Sequence, residues 1–490
     1  MRRPSSSFTV SVVGLLILLG ASFRTAAGAD PVSHEQARQT LQKAVSFFRN
    51  DVSASGAYLW QYSADLKLRE GENAATSTQA WVQPPGTPTV GEALLEAHLL
   101  CGEPFLLDAA TAAGHALAQT QLVSGGWDYR LEFDPPKRSG WQFLVDVQAG
   151  ANRSSKAKNV TTLDDDNTQS ALRFLMKLDT VLERRDQTIH SCVEYALASL
   201  LKAQYPNGAW PQRFSEPPNA ADFPVLKASY PETWPREHPK LDYRSYYTFN
   251  DNTIADVIDT MFLAAELYDA PRYAAAAERA GDFIILAQMP EPQPAWAQQY
   301  NANMQPAWAR RFEPASVTGG ESQGVIRILM TIYRHTGKEK YLAPIPKALD
   351  YLERSQLPDG RLARFYELKT NRPLYFTKKY ELTYDDGDLP THYGFQVSSN
   401  VKPLRQQFEK MLRETSGSTP LWTTQRRKPG NSNSLRHDVR QLVDSMDARG
   451  AWLEDGQLKA ADSDSSQQII TTKTFIRNIR TLSRYLAATK

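Results

Sequence analysis

The sequence predicts an all-α fold: helical hairpins assembled as an incomplete (α/α) toroid or barrel. Three observations carry this reading. Apolar residues recur at spacings of three and four, as in Ile254, Val257, Ile258 and Met261, which marks one buried face of a helix. Strand-like alternation is scarce. Helix ends repeat a pattern: GGWDYR at 125–130, NGAWPQRF at 207–214, DGRLARF at 359–365 and RGAWL at 449–453 each place glycine shortly before an aromatic or aliphatic residue. Glycine stops a helix, and the loop that follows can return across one face of an array. The copies lie roughly 80 to 150 residues apart, a spacing that leaves an irregular helical domain as the alternative.

The elements follow in chain order. Residues 1–29 join basic Arg2 and Arg3 to an apolar run from Val10 to Leu19 and the small residues Ala27, Gly28 and Ala29. This reads as a cleaved signal and predicts a secreted or periplasmic protein. An uncleaved anchor is the alternative, although the run is short for a bilayer span, and no later stretch could cross one. Cleavage would take the 56 basic residues to 53 against 54 acidic ones, a formal charge of −1. That balance lacks the basic excess of a nucleic-acid binder. Cys101 and Cys192 sit in apolar helical contexts, where a buried thiol is expected, and pairing between them stays open.

Residues 30–150 form an N-terminal helical part (VGEALLEAHLL, AATAAGHALAQTQL), expected to continue into the toroid, with QPPGTPTVG at 83–91 as a loop that could bound a subdomain. Residues 151–400 form the core: TQSALRFLMKLDTVL, VEYALASLLKAQ, NTIADVIDTMFLAAEL, YAAAAERAGDFIILAQ, ESQGVIRILMTIYRHT and IPKALDYLERSQ. Residues 401–490 hold a surface excursion at 414–434 and the closing helix KTFIRNIRTLSRYLAA. A monomer is expected, with no stable membrane insertion.

The chemistry concentrates at two helix starts. TTLDDDNTQSALRF sets Asp164, Asp165 and Asp166 side by side, and YYTFNDNTIADVIDTM places Asp251 between Asn250 and Asn252. One aspartate caps a helix; three in a row repel unless water, an arginine or a metal shares them. Starts in neighbouring hairpins of the same sense would bring Asp164 and Asp251 together as half of a calcium site, although each alone also reads as a plain cap. Arginine supplies the complement. Arg310, Arg311, Arg361, Arg364 and Arg372 stand with Lys378 and Lys379 among aromatics, suited to an acidic carbohydrate, or else to ordinary surface charge. Trp308 and Tyr366 could equally be core.

TLDDDNT, QYPNGAWPQRF, YTFNDNTIADV, PAWARRFEPASVTGGESQGVIRIL and LARFYELKTNRPLYF, in that order, resemble the pectic acid lyases of polysaccharide lyase family 10. The likeness covers roughly 150–385 and extends more weakly through SGGWDYR and WQYS. The resemblance implies a catalytic toroid, an anionic galacturonan substrate, calcium (Ca2+) and cleavage by β-elimination. It implies that Asp164 and Asp251 hold the metal or the substrate carboxylate and that Arg310 and Arg364 hold substrate. Beside it, Asp165 is expected as a third metal ligand, Arg310 and Arg364 as catalytic residues, and Asn252, Trp308, Tyr366 and Arg372 as substrate contacts. Two departures stand out. Asp165 replaces the family's usual asparagine, and the family's arginine base, fourteen residues beyond Arg364, is Lys378 here.

The base must take the C5 proton of a uronate, while calcium or arginine at the carboxylate stabilises charge in the transition state. A lysine crowded by cations can supply a free amine, so Lys378 suits the role, with Lys379 and His392 as alternatives. A third carboxylate at Asp165 strengthens the attraction for a hard cation. Two other classes remain: a toroidal glycoside hydrolase working with two carboxylates, and a non-catalytic acidic-polysaccharide binding protein.

Overall fold

The computed structural model describes residues 32–413, 420–425, 429–430, 432–459 and 468–490. The expected signal segment and much of the 414–434 excursion lie outside them. The helices are α1 (His34–Phe47), α2 (Thr87–Cys101), α3 (Pro104–Gln119), α4 (Leu144–Gln148), α5 (Asn167–Val181), α6 (Gln187–Ala203), α7 (Thr253–Tyr268), α8 (Pro271–Leu286), α9 (Gly319–Thr336), α10 (Ile345–Arg354), α11 (Val401–Arg413), α12 (Asn433–Ser445) and α13 (Thr472–Thr489).

These helices pack in two concentric rows. The inner row runs α13–α2–α5–α7–α9–α11, each member against the next, and α1, α3, α6, α8, α10 and α12 back it as the outer row. The chain alternates outer and inner, which makes, among the described residues, six hairpins of an incomplete (α/α) toroid. Among the described residues, the ends of the arc at α11 and α13 lack the extensive packing that joins successive members. The inner helices run parallel. Arg480 of α13 pairs with Glu96 of α2, and Gln169 and Arg173 of α5 donate to the carbonyls of Thr253 and Asp256 of α7. All inner helix starts therefore gather at one mouth.

Local sequence explains how each hairpin closes. Trp127, Trp210, Trp296 and Trp452 are buried, and their indole N–H groups donate to Leu117, Leu200, Ile284 and Leu442, carbonyls in α3, α6, α8 and α12 (2.8–2.9 Å). Each bond satisfies a carbonyl near the end of an outer helix and fixes the returning loop. In the fifth copy the hydroxyl of Tyr366 does this for Ser355, just past α10 (2.5 Å). Glycine at 208 is required twice over: its φ is +95°, and a Cβ there would sit 2.0 Å from the Arg279 carbonyl oxygen.

The sequence shows little strand alternation, yet short strands precede the inner helices. Gln79–Trp81 leads into α2, Thr161–Thr162 into α5, Tyr247–Thr248 into α7, Val317–Thr318 into α9 and Gln468–Thr471 into α13. Each pairs antiparallel with a strand of a returning loop, as Thr161 does with Phe214 and Tyr247 with Tyr300. Elements of two to four residues are too short to display a period of two. They pin the loops of the mouth in register.

Candidate active site

Two turns of the same shape stand side by side at the mouth. In the first, the Thr162 hydroxyl accepts the Asp164 N–H (3.3 Å); in the second, the Thr248 hydroxyl accepts the Asn250 N–H (3.0 Å). Each then makes two consecutive left-handed residues, Asp165 and Asp166 (φ 52° and 56°) and Asp251 and Asn252 (φ 47° and 58°), before α5 and α7 begin. Aspartate and asparagine are the non-glycine residues that tolerate this region best, so composition and geometry agree. The left-handed pair turns the carboxylates toward each other across the two helix starts. Oxygens of Asp164, Asp165 and Asp251 all lie within 4.8 Å of one another.

The crowding is shared out. Asp166 turns away to a bidentate pair with Arg173 (2.6 and 2.7 Å). The Tyr129 hydroxyl bonds to both Asp164 (3.2 Å) and Asp165 (3.0 Å), and Arg213 approaches Asp164 at 3.4 Å while lying over the Tyr129 ring. Burial, together with Asp164 and Asp165, raises the Tyr129 phenol, so it stays a neutral donor. Burial and the neighbouring Asp164 push the Asp165 carboxyl above its ordinary value and lift Asp251 to about 6. Asp164 is 8% exposed, and its Oδ1 has no hydrogen-bond partner among the described residues. Hard oxygen donors, excess negative charge and an unspent buried oxygen fit an oxygen-seeking divalent cation.

A cationic half faces this cluster. Arg310 stands 3.9 Å from Asp251 and is gripped by the buried Glu313. Burial works against the Arg310 charge, but Glu313 more than offsets this and keeps the guanidinium firmly protonated. The Arg310 Nε is buried and has no hydrogen-bond partner among the described residues. Arg364 pairs with Glu321 at the start of α9 (2.8 Å) and donates to the Gly394 carbonyl. Tyr393 lies between the two arginines, 5.6 Å from Arg310 and 4.7 Å from Arg364 at its ring centre, and its hydroxyl donates to Glu313 (3.0 Å). Asp251, Asn252, Glu321 and Arg364 line one cavity of about 310 Å³.

The structure thus gathers Asp164, Asp165, Asp251, Asn252, Arg310 and Arg364. It places the other expected residues elsewhere. Tyr366 is 1% exposed, with its hydroxyl bonded to Ser355 and to the Ala363 N–H, so it offers substrate no surface. Trp308 is buried edge-on against Phe376 and donates to the Arg310 carbonyl, which supports the arginine's loop. Arg372 stacks over Tyr384, 3.5 Å from its ring centre, on an exposed hairpin. Lys378 is exposed, and its ammonium pairs with Asp388 (3.1 Å). Sequence reasoning missed Tyr129, Arg213, Glu313, Glu321 and Tyr393. All except Tyr393 lie inside motifs quoted above, without a spacing rule to single them out.

Fold and site together define a helical (α/α) toroid with, at its mouth, an acidic cluster that could hold a cation beside paired arginines. The family model for pectic acid lyase matches residues 121–332, which includes Tyr129, Asp164, Arg213, Asp251, Arg310 and Glu313 and stops short of Arg364 and Lys378. No curated protein sequence matches the chain. Among solved structures it is similar to the family 10 polysaccharide lyase from Cellvibrio cellulosa, in a mutant form in complex with trigalacturonic acid. That likeness has 19% identity, covers 66% of this chain and 98% of that one, and has a TM-score of 0.44. The unmutated enzyme gives 20% identity, 61% and 91% coverage and a TM-score of 0.41. Cellobiose 2-epimerase from Spirochaeta thermophila gives 14%, 69% and 73%, and 0.42.

Proposed function

We propose that the protein is an exported pectate lyase, cleaving α-1,4-linked polygalacturonate by calcium-assisted β-elimination. The observation that carries this is the meeting of Asp164, Asp165 and Asp251 with Arg310, inside the segment that matches the pectic acid lyases. Asp164, Asp165 and Asp251 would hold calcium, which when bound would supply positive charge to stabilise the enolate-like anion formed as a uronate loses its C5 proton. The part-exposed guanidinium of Arg310, with Arg364, would orient the substrate carboxylate, and Glu313 and Tyr393 would hold the two guanidinium groups in place. Lys378 is the proposed base, from its position relative to Arg364. The deciding measurement is ultraviolet absorbance of unsaturated products released from polygalacturonate, with and without chelator. Calcium-dependent product supports the reading; its absence from every uronic acid polymer overturns it, and saturated reducing ends instead would indicate a hydrolase.

One observation favours a second reading, a non-catalytic acidic-polysaccharide binding protein. The Lys378 ammonium is taken up by Asp388 on the exposed side of its loop. Calcium-dependent binding of the polymer with no turnover would establish that reading.

A further inference from the structure

The solvent-facing stripe of α13 carries Lys473, Arg477, Arg480 and Arg484, at i, i+4, i+7 and i+11 along one helix face. These four cations, with Pro85 and Thr89 at the start of α2, line a groove of about 370 Å³ that has no carboxylate among the described residues lining it. Lys473, Arg477 and Arg484 are exposed, and Arg480 pairs with Glu96. Among the described residues, Lys473 and Arg484 have no ion-pair or side-chain hydrogen-bond partner.

This concentration is not background. The whole chain balances 56 basic residues against 54 acidic ones, and like charges at helical spacings of three and four repel. A helix that bears that repulsion along its exposed face matches a polyanion that relieves it. The stripe extends about 16 Å along the axis, enough to meet several charged units of a polymer rather than one small anion. Its first member stands in the first turn of α13. Because the inner helices run parallel, that turn opens at the same mouth as Asp164 and Asp251, with α2 between α13 and α5.

We propose that the α13–α2 groove is a second binding surface for the anionic polysaccharide, holding uronate units remote from the site at α5, α7 and α9. Arginine forks grip carboxylates bidentately, and the open groove requires no single register. The surface would raise affinity for long chains by tethering them, an effect short oligomers cannot exploit. The proposal rests on the uronan reading of the principal site.

The test uses the whole mature protein carrying Lys473→Gln, Arg477→Gln and Arg484→Gln together, compared with the parent and with Asp251→Asn. Affinity electrophoresis in polygalacturonate gels, with chelator present and across a salt series, reads binding alone. The triple variant is expected to lose about tenfold in polymer affinity and to show a shallower salt dependence. Its KM for polymer should rise without a matching fall in kcat, its binding of trigalacturonate should hold, and its Tm should stay level or rise. Polymer affinity within twofold of the parent overturns the groove while leaving the lyase reading intact. If the parent releases no unsaturated product but the triple variant still loses polymer binding, the groove stands and the lyase reading falls. A parent that does not bind polygalacturonate, or equal losses on duplex DNA and on uronan, overturns the proposal.

Discussion

Asp165→Asn removes one of three carboxylates whose oxygens lie within 4.8 Å of one another, and its effect should change sign with calcium. At an effective dielectric near 20, two unit charges at that distance repel by about 3.5 kcal/mol, and Asp165 faces two such neighbours. Tyr129, Arg213 and open water relieve much of this, leaving a gain of about 1–2 kcal/mol for the variant without metal. The amide keeps an oxygen for the Tyr129 hydroxyl, so packing is undisturbed. With calcium the charge is lost where it is needed, and affinity should fall about ten- to a hundredfold. Thermal unfolding across a calcium series, beside a chelated sample, reads both effects. The variant should start at a higher Tm and gain less from calcium, because the shift follows ligand concentration relative to Kd. An unchanged calcium response, or a variant less stable than the parent in chelator, would refute the shared-cation account of this cluster.

Other outcomes follow from single contacts. Burial and Asp166 raise the Asp256 carboxyl from 3.8 to about 7, so the folded protein keeps a proton that the unfolded chain has released. Its contribution to stability is therefore greatest below about pH 4 and declines toward pH 7, by a ceiling of about 4 kcal/mol. Asp256→Asn should raise Tm at pH 8 and leave it unchanged at pH 4. Tyr366→Phe strips the Ser355 carbonyl and the Ala363 N–H of their partner, so it should cost about 1–3 kcal/mol in denaturant unfolding without raising KM for polymer. Arg310→Lys loses the fork while keeping the charge, and kcat/KM on polygalacturonate should fall about a hundredfold. Lys378→Ala should abolish turnover while calcium and polymer binding hold within about tenfold. Near-normal turnover would exclude Lys378 and leave Lys379 and His392 to be tested.

The all-α class was legible because the long inner and outer helices bury one stripe each, and that stripe has a period the eye can count. Helices α1, α4, α11 and α12 escaped. In α1 the buried face is made largely of Ala37, Thr40, Leu41, Ala44 and Val45, and in α11 of Val401, Leu404 and Met411 alone, too sparse to stand out from their polar neighbours. The strands escaped for a different reason: they are defined by partners more than fifty residues away in some pairs, such as Gln79 with Glu132.

The acidic half of the candidate site was legible because its charges are crowded. Adjacent carboxylates are costly, so their presence demands an explanation even in one dimension. The basic half was partly legible through a signal left unused. NGAWPQRF and DGRLARF place Arg213 and Arg364 immediately before a phenylalanine that enters a short strand, Arg213–Phe214 pairing with the strand before α5 and Phe365–Tyr366 with the strand before α9. Each arginine therefore arrives at the mouth on a loop returning from an outer helix, beside the start of an inner one. The same repeat delivers Arg213 to Asp164 and Arg364 to Glu321. One hairpin contributes the acid at its inner helix start, the next contributes the arginine from its returning loop, and the charge pairs of the site follow from that alternation. Lys378 falls outside it, fourteen residues past the last such arginine on an exposed hairpin, which is why its role depends on the alanine variant rather than on the repeat.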